Sequence, residues 1–255
     1  MEKNILLAIE YDGTDFCGWQ RQPDKRSVQG EIEKALGVVC GRDITLNGAS
    51  RTDAGVHAYG QRASFKGDFG IPVDRLAVAV NNILGGGKNS IGAAGDVRVL
   101  TAEEKPLDFH ARFDAKAKKY IYKISNSDTI NIFRSNYVYQ IVRPLNTDAM
   151  KEAAVHMVGT RDFKCFQAAG GEEKKTTVRT VYGIDIKIKR DIEIEIKGDA
   201  FLYNMVRIMA GTLVEAGLGK IHPPYVQNII ESRDRQNAGH TAPPQGLYLA
   251  EVYYC

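Results

Sequence analysis

The stretch VRTVYGIDIKIKRDIEIEIKG, residues 178–198, predicts a long β-hairpin in which two antiparallel strands follow each other directly. A purely parallel, doubly wound sheet has no such connection, because crossover segments, usually helices, join its strands. We therefore expect an α+β fold of two α/β lobes, with mixed or antiparallel sheets flanked by helices. We also expect an active-site cleft between the lobes, which is a common position for a binding site.

Similar elements are predicted in both halves of the 255-residue chain. Ser27 is a suitable N-cap for a helix whose apolar residues recur at helical spacing, namely Val28, Ile32, Ala35, Leu36 and Val39. The other predicted elements are strands at 4–11, 44–50, 59–66, 96–101, 116–124, 137–142 and 247–254, and helices at 73–84, 147–158, 203–217 and 224–232. Because the pattern restarts after the acidic, proline-containing stretch 101–112, we expect an N-terminal lobe of residues 1–105 and a C-terminal lobe of residues 106–255.

The composition predicts a soluble, cytoplasmic protein. Hydrophobic residues make up 44% and charged residues 25%, and no apolar run approaches the length of about eighteen residues that a membrane span needs. The N-terminal stretch MEKNILLAIEYDG predicts a strand and not a signal peptide. The net charge of +3 has its basic excess in the second half, which suits a solvated surface about as well as it suits RNA.

The cysteines and histidines give no metal pattern. Cys17, Cys40, Cys165 and Cys255 lie far apart, with no CxxC pair and no histidine at zinc-ligand spacing, so we expect reduced thiols and no metal. The sequence also lacks GxGxxG, GxxxxGK[ST] and an evident pair of carboxylates for glycoside hydrolysis. We therefore expect no cofactor and no nucleotide-driven chemistry.

One carboxylate, Asp53, has a setting suggestive of a site. In NGASRTDAGVHAYGQRASF, residues 47–65, it lies between an Arg-Thr pair and an Ala-Gly turn, with predicted strands on both sides. Asp and Gly are common turn formers, so this motif taken alone predicts only a turn.

A second signal is Arg207, the only charged residue between Asp199 and Glu215 in a helix that is apolar on all sides. Such a helix is normally buried, and a buried guanidinium needs an anion or a dense set of acceptors. Glu215 is eight residues away, too far for a partner on the same helix face. Two interpretations remain open: a buried ion pair that only fixes packing, or pairing with Asp53 that keeps this acid ionised for use as a nucleophile or base.

The predicted strand KAKKYIYKI, residues 116–124, places four side chains on one face by its two-residue period, namely Lys116, Lys118, Tyr120 and Tyr122. Cations that alternate with aromatic rings suit RNA, because lysines meet phosphates and a tyrosine ring meets an unstacked base. The alternative is a pair of core tyrosines with bonded hydroxyls, which is the commoner case for either tyrosine alone. Arg112 is a further candidate phosphate contact.

Taken together, the motifs resemble those of the A-type tRNA pseudouridine synthases, the family that modifies the anticodon arm of tRNA. The resemblance runs nearly end to end through YDGTDFCGWQRQ, SVQGEIEKAL, RTDAGVHA, FHARFDAKAKKYIYKI, GTRDF, GDAFLYNMVRIMAGTLVEAGLGK and TAPPQGLYLAEVYY. It implies an isomerase that converts uridine to pseudouridine in the anticodon stem-loop, at tRNA positions 38, 39 and 40. It also implies a homodimer.

The resemblance assigns roles to individual residues. It places the catalytic aspartate at Asp53, the tyrosine that stacks on the target base at Tyr120, the basic partner of the aspartate at Arg207, and the arginine that displaces the target nucleotide at Arg51. Other candidate substrate-binding residues are Thr52, His57, Lys118, Arg112 and Asn204. The sequence departs from the family pattern at Ala49 and Ser50, where a Gly- or Ser-rich pair ending in Gly is expected.

Two other functions use the same residues. A base-exchanging transglycosylase would use the aspartate but release uracil, and a non-catalytic tRNA-binding protein would use Asp53 only to shape a turn.

Overall fold

The computed structural model describes residues 1–85, 95–129, 131–170 and 175–254, so that Cys255 lies outside the described residues. The chain forms two compact units. Unit 1 comprises Met1–Lys116 and Leu249–Cys255, and unit 2 comprises Ala117–Tyr248. Among the described residues, the longest helices have 13 residues, and none is both long and apolar enough to cross a membrane.

Unit 1 packs two helices against an antiparallel sheet. Its elements are β1 (Lys3–Tyr11), α1 (Val28–Cys40), β2 (Asn47–Gly48), β3 (His57–Gly67), α2 (Val73–Leu84) and β4 (Val97–Lys105). β1 is the central strand, between β4 and β3, and β2 pairs with β3. The register of β1 and β3 shifts between Ile9 and Tyr11, and bulges of this kind often occur beside functional sites.

The first helix forms as its sequence predicts. Ser27 caps it by accepting a hydrogen bond from the Gly30 amide, and Gly41 ends it in the left-handed conformation at φ 67°. Val28, Ile32, Ala35 and Leu36 are buried, whereas Val39 is half-buried. The second helix covers the predicted residues, Val73–Leu84.

Residues 106–116, which the sequence assigns to the second lobe, are hydrogen-bonded to unit 1. The Asn4 side chain donates to the carbonyls of Pro106 and Phe109, both at 2.8 Å. The Ala111 amide donates to Ser64 Oγ at 3.0 Å. These polar bonds leave no local signal in the segment itself, because their partners come from distant strands.

Unit 2 has the mixed sheet. Its elements are β5 (Ala117–Asn126), β6 (Tyr139–Ile141), α3 (Thr147–Val155), β7 (Gly159–Asp162), β8 (Val178–Ile188), β9 (Ile192–Gly198), α4 (Met205–Gly217) and α5 (Tyr225–Ser232), and β10 (Leu247–Tyr253) starts in this unit and ends in unit 1. β6 pairs with β5 in parallel, whereas β5, β9, β8 and β7 follow one another as antiparallel neighbours. The hairpin predicted at 178–198 is confirmed as β8 and β9, and with it the α+β class.

Two predicted elements are shorter in the structure, and one strand is unpredicted. The strand predicted at 44–50 is only Asn47–Gly48, because the Leu46 backbone bonds to the α1 side chains of Gln29 and Glu33 instead of to a neighbouring strand. α3 ends at Val155, before Gly159 turns the chain at φ 108° into β7, a strand that the sequence does not predict. The predicted last helical turn, residues 156–158, is not α-helical, because its amides bond to carbonyls three residues back. The Met157 amide, for example, donates to the Ala154 carbonyl.

Candidate active site

Asp53 lies in a tight turn between β2 and β3. The Val56 amide donates to the Asp53 carbonyl at 3.2 Å. Gly55 adopts φ 77°, and a positive φ at this third position is the mark of a type II turn. Arg51 is exposed and Asp53 half-buried, whereas Thr52 between them is buried. The loop therefore anchors itself through Thr52 and leaves the flanking cation and acid accessible.

Thr52 is held by the last residue of β1 and by the segment that follows this strand. Tyr11 Oη and Thr52 Oγ1 share a hydrogen bond at 2.7 Å, and the Trp19 amide donates to the Thr52 carbonyl at 3.0 Å. Tyr11 and Trp19 are both buried. Because both groups of Thr52 are fixed by buried residues, the adjacent Asp53 backbone has a defined position.

Two glycines let these segments approach closely. A Cβ atom on Gly18 would lie 2.7 Å from the Thr52 carbonyl oxygen, and Gly18 has φ +93°. A Cβ atom on Gly13 would lie 2.1 Å from the Val56 carbonyl oxygen. Side chains do not fit at either place, so the approach of the two backbones depends on glycine.

His57 is the first residue of β3, directly after the Asp53 turn, and is 2% exposed. The Gly13 amide donates to His57 Nδ1 at 3.0 Å. The Asp12 carboxylate lies 3.2 Å from the same nitrogen. The described geometry of His57 is thus that of a buried brace, and its substrate-binding role stays a prediction.

The departure at Ala49 and Ser50 has a structural explanation. Ser50 does not have a positive φ, so its backbone does not require glycine. The fully buried Gln61 side chain accepts from the Ser50 amide at 3.2 Å and donates to its carbonyl at 2.7 Å. Sequence analysis missed Gln61, whose only signal is its place in the alternation of β3, on the same face as Ala63 and Phe65.

In unit 2, Arg207 is oriented by two acceptors. Its Nε donates to the Ala242 carbonyl and its Nη1 to Asn204 Oδ1, both at 2.8 Å. Asn204 precedes α4 at φ 59° and does not cap the helix, because its side chain is directed to Arg207. The two candidate residues Asn204 and Arg207 are therefore in direct contact.

The tyrosines of β5 are buried. Tyr122 is fully buried, and its hydroxyl donates to the Pro243 carbonyl at 2.7 Å. Burial raises the pKa of Tyr122 well above its ordinary value, against the opposing effect of Arg207. Tyr120 is buried with its ring edge-on to Phe201 at 5.3 Å, and Lys118 is half-buried. The core interpretation is thus confirmed for Tyr122.

A hydrogen-bonded chain fixes the segment that contacts Arg207. Glu215 accepts from the His240 amide at 3.0 Å and from His240 Nδ1 at 2.8 Å, and Tyr139 Oη lies 3.3 Å from His240 Nε2. Burial is the largest single effect on Glu215 and acts to raise its pKa, but the bonds from His240 outweigh it and the pKa is lowered. Sequence analysis missed this role of His240, because the five histidines of the chain form no recognisable motif.

The candidates thus form two groups. Unit 1 brings together Arg51, Thr52, Asp53 and His57. Unit 2 brings together Asn204 and Arg207, and the charge of Arg207 acts to lower the pKa of Tyr122. Arg112 is not in the Asp53 loop, since its turn is anchored at Ser64, seven residues along β3 from His57. Among the described residues, no group of three His, Cys, Asp or Glu side chains could hold a metal ion.

Comparison with known proteins gives full-length matches. A family described as tRNA pseudouridine synthase matches residues 7–114 and 153–255. The tRNA pseudouridine synthase A of Ruminiclostridium cellulolyticum is 46% identical over 254 residues, covering 99% of this chain and 100% of that protein. The enzyme of the same name from Acetivibrio thermocellus is 44% identical over 255 residues, again covering 99% and 100%.

Gly18→Ala should lower the free energy of unfolding by about 1–3 kcal/mol, because the added methyl group collides with the Thr52 carbonyl at a positive φ. Gly70→Ala is the matched control, since a Cβ atom there meets nothing within 4 Å. Urea denaturation of both variants checks this. Equal stability of Gly18→Ala and the wild type would contradict the close approach.

Glu215→Gln should remove part of the pH dependence of stability. A lowered folded-state pKa stabilises the protein above the unfolded-state value, near pH 4.3, and this stabilisation is lost as the pH falls through the folded-state pKa. The difference in unfolding free energy between wild type and variant should therefore narrow as the pH falls below about 4.3. Urea denaturation at pH 6 and at lower pH measures it, and a constant difference would refute it.

Proposed function

Because the chain belongs to the tRNA pseudouridine synthase family, we propose that it isomerises uridine to pseudouridine in tRNA, with Asp53 as the catalytic carboxylate. The observation that carries the proposal is the position of Asp53. A half-buried acid follows an exposed arginine in a turn that buried side chains fix on both sides.

The proposed reaction needs one positioned carboxylate and no redox partner. The bond between ribose C1′ and uracil N1 breaks, the base rotates, and a bond from C1′ to C5 forms. C5 then loses its hydrogen as a proton to solvent, and N1 takes up a proton, so that the product is an isomer of the substrate. Asp53 would attack ribose C1′ or uracil C6, or would act as a base. A rigid turn suits each of these roles, because a small displacement of the reacting group costs much of the rate.

Arg51 suits a role in substrate exposure. A stacked uridine is inaccessible in an RNA stem, so the enzyme has to extrude it and brace the gap that is left. Arg51 is exposed two residues before Asp53, and its backbone neighbour Thr52 is fixed. We propose that its guanidinium occupies the place of the displaced nucleotide.

We propose that Arg207 keeps Asp53 ionised and that Tyr120 stacks on the target base. The two acceptors that hold Arg207 fix the direction of its guanidinium, as pairing with a single carboxylate requires. Thr52, His57 and Asn204 then act mainly by positioning Asp53 and Arg207.

The finer parts of the proposal concern the substrate and the assembly. We propose that the substrate is the anticodon stem-loop at tRNA positions 38, 39 and 40, with Lys118 and Arg112 as phosphate contacts. A homodimer in the cytoplasm completes the proposal. These parts rest on the resemblance of the motifs to A-type synthases.

Asp53→Asn should abolish turnover and leave tRNA binding intact, because a nearly isosteric amide cannot act as a nucleophilic anion. The assay follows tritium release from tRNA labelled at uridine C5, together with release of free uracil. Isomerisation frees tritium without uracil, whereas base exchange frees uracil. Wild-type protein that binds tRNA but releases neither tritium nor uracil would refute the catalytic activity. An active Asp53→Asn variant would refute the assignment of Asp53 as the catalytic residue.

Arg207→Met should reduce both turnover and stability, because it removes the donors to Ala242 and Asn204 and the charge proposed to face Asp53. If Arg207 pairs with Asp53, the stability loss should be smaller in an Asp53→Asn background, where no uncompensated charge is left. Urea denaturation of the four proteins completes this cycle. Equal losses in both backgrounds would contradict the pairing.

A further inference from the structure

Phe113 is exposed although it is a large aromatic residue. It lies in the turn between β4 and β5 and is 75% exposed, whereas neighbouring Ala111 is fully buried. A single exposed phenylalanine is common on protein surfaces, so what distinguishes Phe113 is the fixed turn that presents it and the groups beside its ring.

The turn that presents Phe113 is fixed to unit 1. The Tyr254 hydroxyl donates to the Ala111 carbonyl at 2.9 Å, and the Ala111 amide donates to Ser64 at 3.0 Å. Asp114 closes the turn by accepting from the His110 amide at 2.7 Å. The ring therefore stands on a preorganised backbone, which lowers the entropy cost of binding.

Two nitrogen-containing side chains lie beside the ring. The His110 ring is 4.3 Å from it between centroids, at an interplanar angle of 36°. The Arg112 guanidinium carbon is 5.9 Å from the ring centroid. His110 supports the ring on one side, while the high exposure of Phe113 leaves room for another flat group.

Lysines lie near the turn, and most of the nearby acids are engaged. Lys66 and Lys105 are both paired with Asn4, which anchors the turn, so their side chains lie on the sheet face that the turn covers. Lys116 is exposed two residues after Asp114. Of the nearby acids, Glu103 is bound by Lys105 at 2.9 Å and Asp114 by the turn itself; Asp108 is exposed.

We propose that Phe113 is a stacking platform for an unpaired nucleobase of the bound tRNA, with Arg112 contacting an adjacent phosphate. Nucleic acid fits better than an apolar protein surface, because the Arg112 guanidinium lies beside the ring and base stacking needs one accessible aromatic face. The inference rests on tRNA being the substrate, and it adds an RNA contact outside the Asp53 loop.

Phe133 provides a matched control. It is 85% exposed and also has an arginine neighbour, but Arg134 is engaged by Asp191 at 3.0 Å. Phe133→Ala therefore removes a similarly exposed ring whose neighbouring arginine is already paired with an acid. Phe113→Tyr keeps an aromatic face, whereas Phe113→Leu keeps only apolar surface.

The affinity for unmodified tRNA is measured by filter binding between 50 and 200 mM salt. Phe113→Ala and Phe113→Leu should weaken binding about tenfold, within the range for loss of one stacked base, with an unchanged salt dependence. Arg112→Gln should reduce the slope of log K against log salt by about 0.7–0.9, as expected for one lost phosphate contact. Phe113→Tyr and Phe133→Ala should bind as the wild type does.

A spectroscopic test reports stacking directly. The chain has one tryptophan, Trp19, which is 1% exposed, so Phe113→Trp adds the accessible fluorophore. Its emission should be quenched when tRNA is added, whereas the wild-type emission should change little.

The outcomes separate this inference from the proposed function. Wild-type protein that releases no tritium from labelled tRNA would refute the function, whatever Phe113 does. An active wild type with Phe113→Ala binding as tightly as Phe133→Ala would overturn the stacking platform. So would equal binding by Phe113→Leu and Phe113→Tyr, or a Phe113→Ala variant whose only change is its mass by light scattering, since that would mark a protein interface.

Discussion

The close contact of two backbones around Thr52 is the constraint on which the candidate site depends. The Trp19 amide binds the Thr52 carbonyl, and Gly18 has no side chain to keep the segments apart. Without that approach, the turn that carries Asp53 would lose the backbone bond that fixes its start. A catalytic carboxylate needs this stiffness, because its reactivity depends on position as much as on charge.

Unit 2 fixes Arg207 by the same means. The segment at 239–242 lies against α4 so closely that a Cβ atom on Gly211 would be 1.9 Å from the His240 carbonyl oxygen. Glu215 accepts two bonds from His240, and Ala242 accepts one from Arg207. In both units, a glycine permits close backbone contact, and polar side chains bond to the segment that lies beside the charged group.

The tyrosines of β5 show how burial limits inference from a pattern. The alternation of Lys118, Tyr120 and Tyr122 correctly predicts that they share one face, since side chains in a strand alternate. It does not reveal that Tyr122 is fully buried and bonded to the Pro243 carbonyl, a partner far away in sequence. Phe113 is the opposite case, because it is exposed although its side chain is apolar. Nothing in its local sequence distinguishes an exposed phenylalanine from a buried one.

The sequence by itself determined the elements whose stability is local. Ser27 at the N-cap, the apolar period of α1 and α2 and the alternation of the 178–198 hairpin each specify a hydrogen-bonding pattern within a few residues. Only the tertiary structure decided the short β2 strand, the attachment of residues 106–116 to unit 1 and the bracing roles of Gln61, His57 and His240. The physical reason is that these features depend on hydrogen bonds and backbone approaches between residues distant in the chain, which no local pattern encodes.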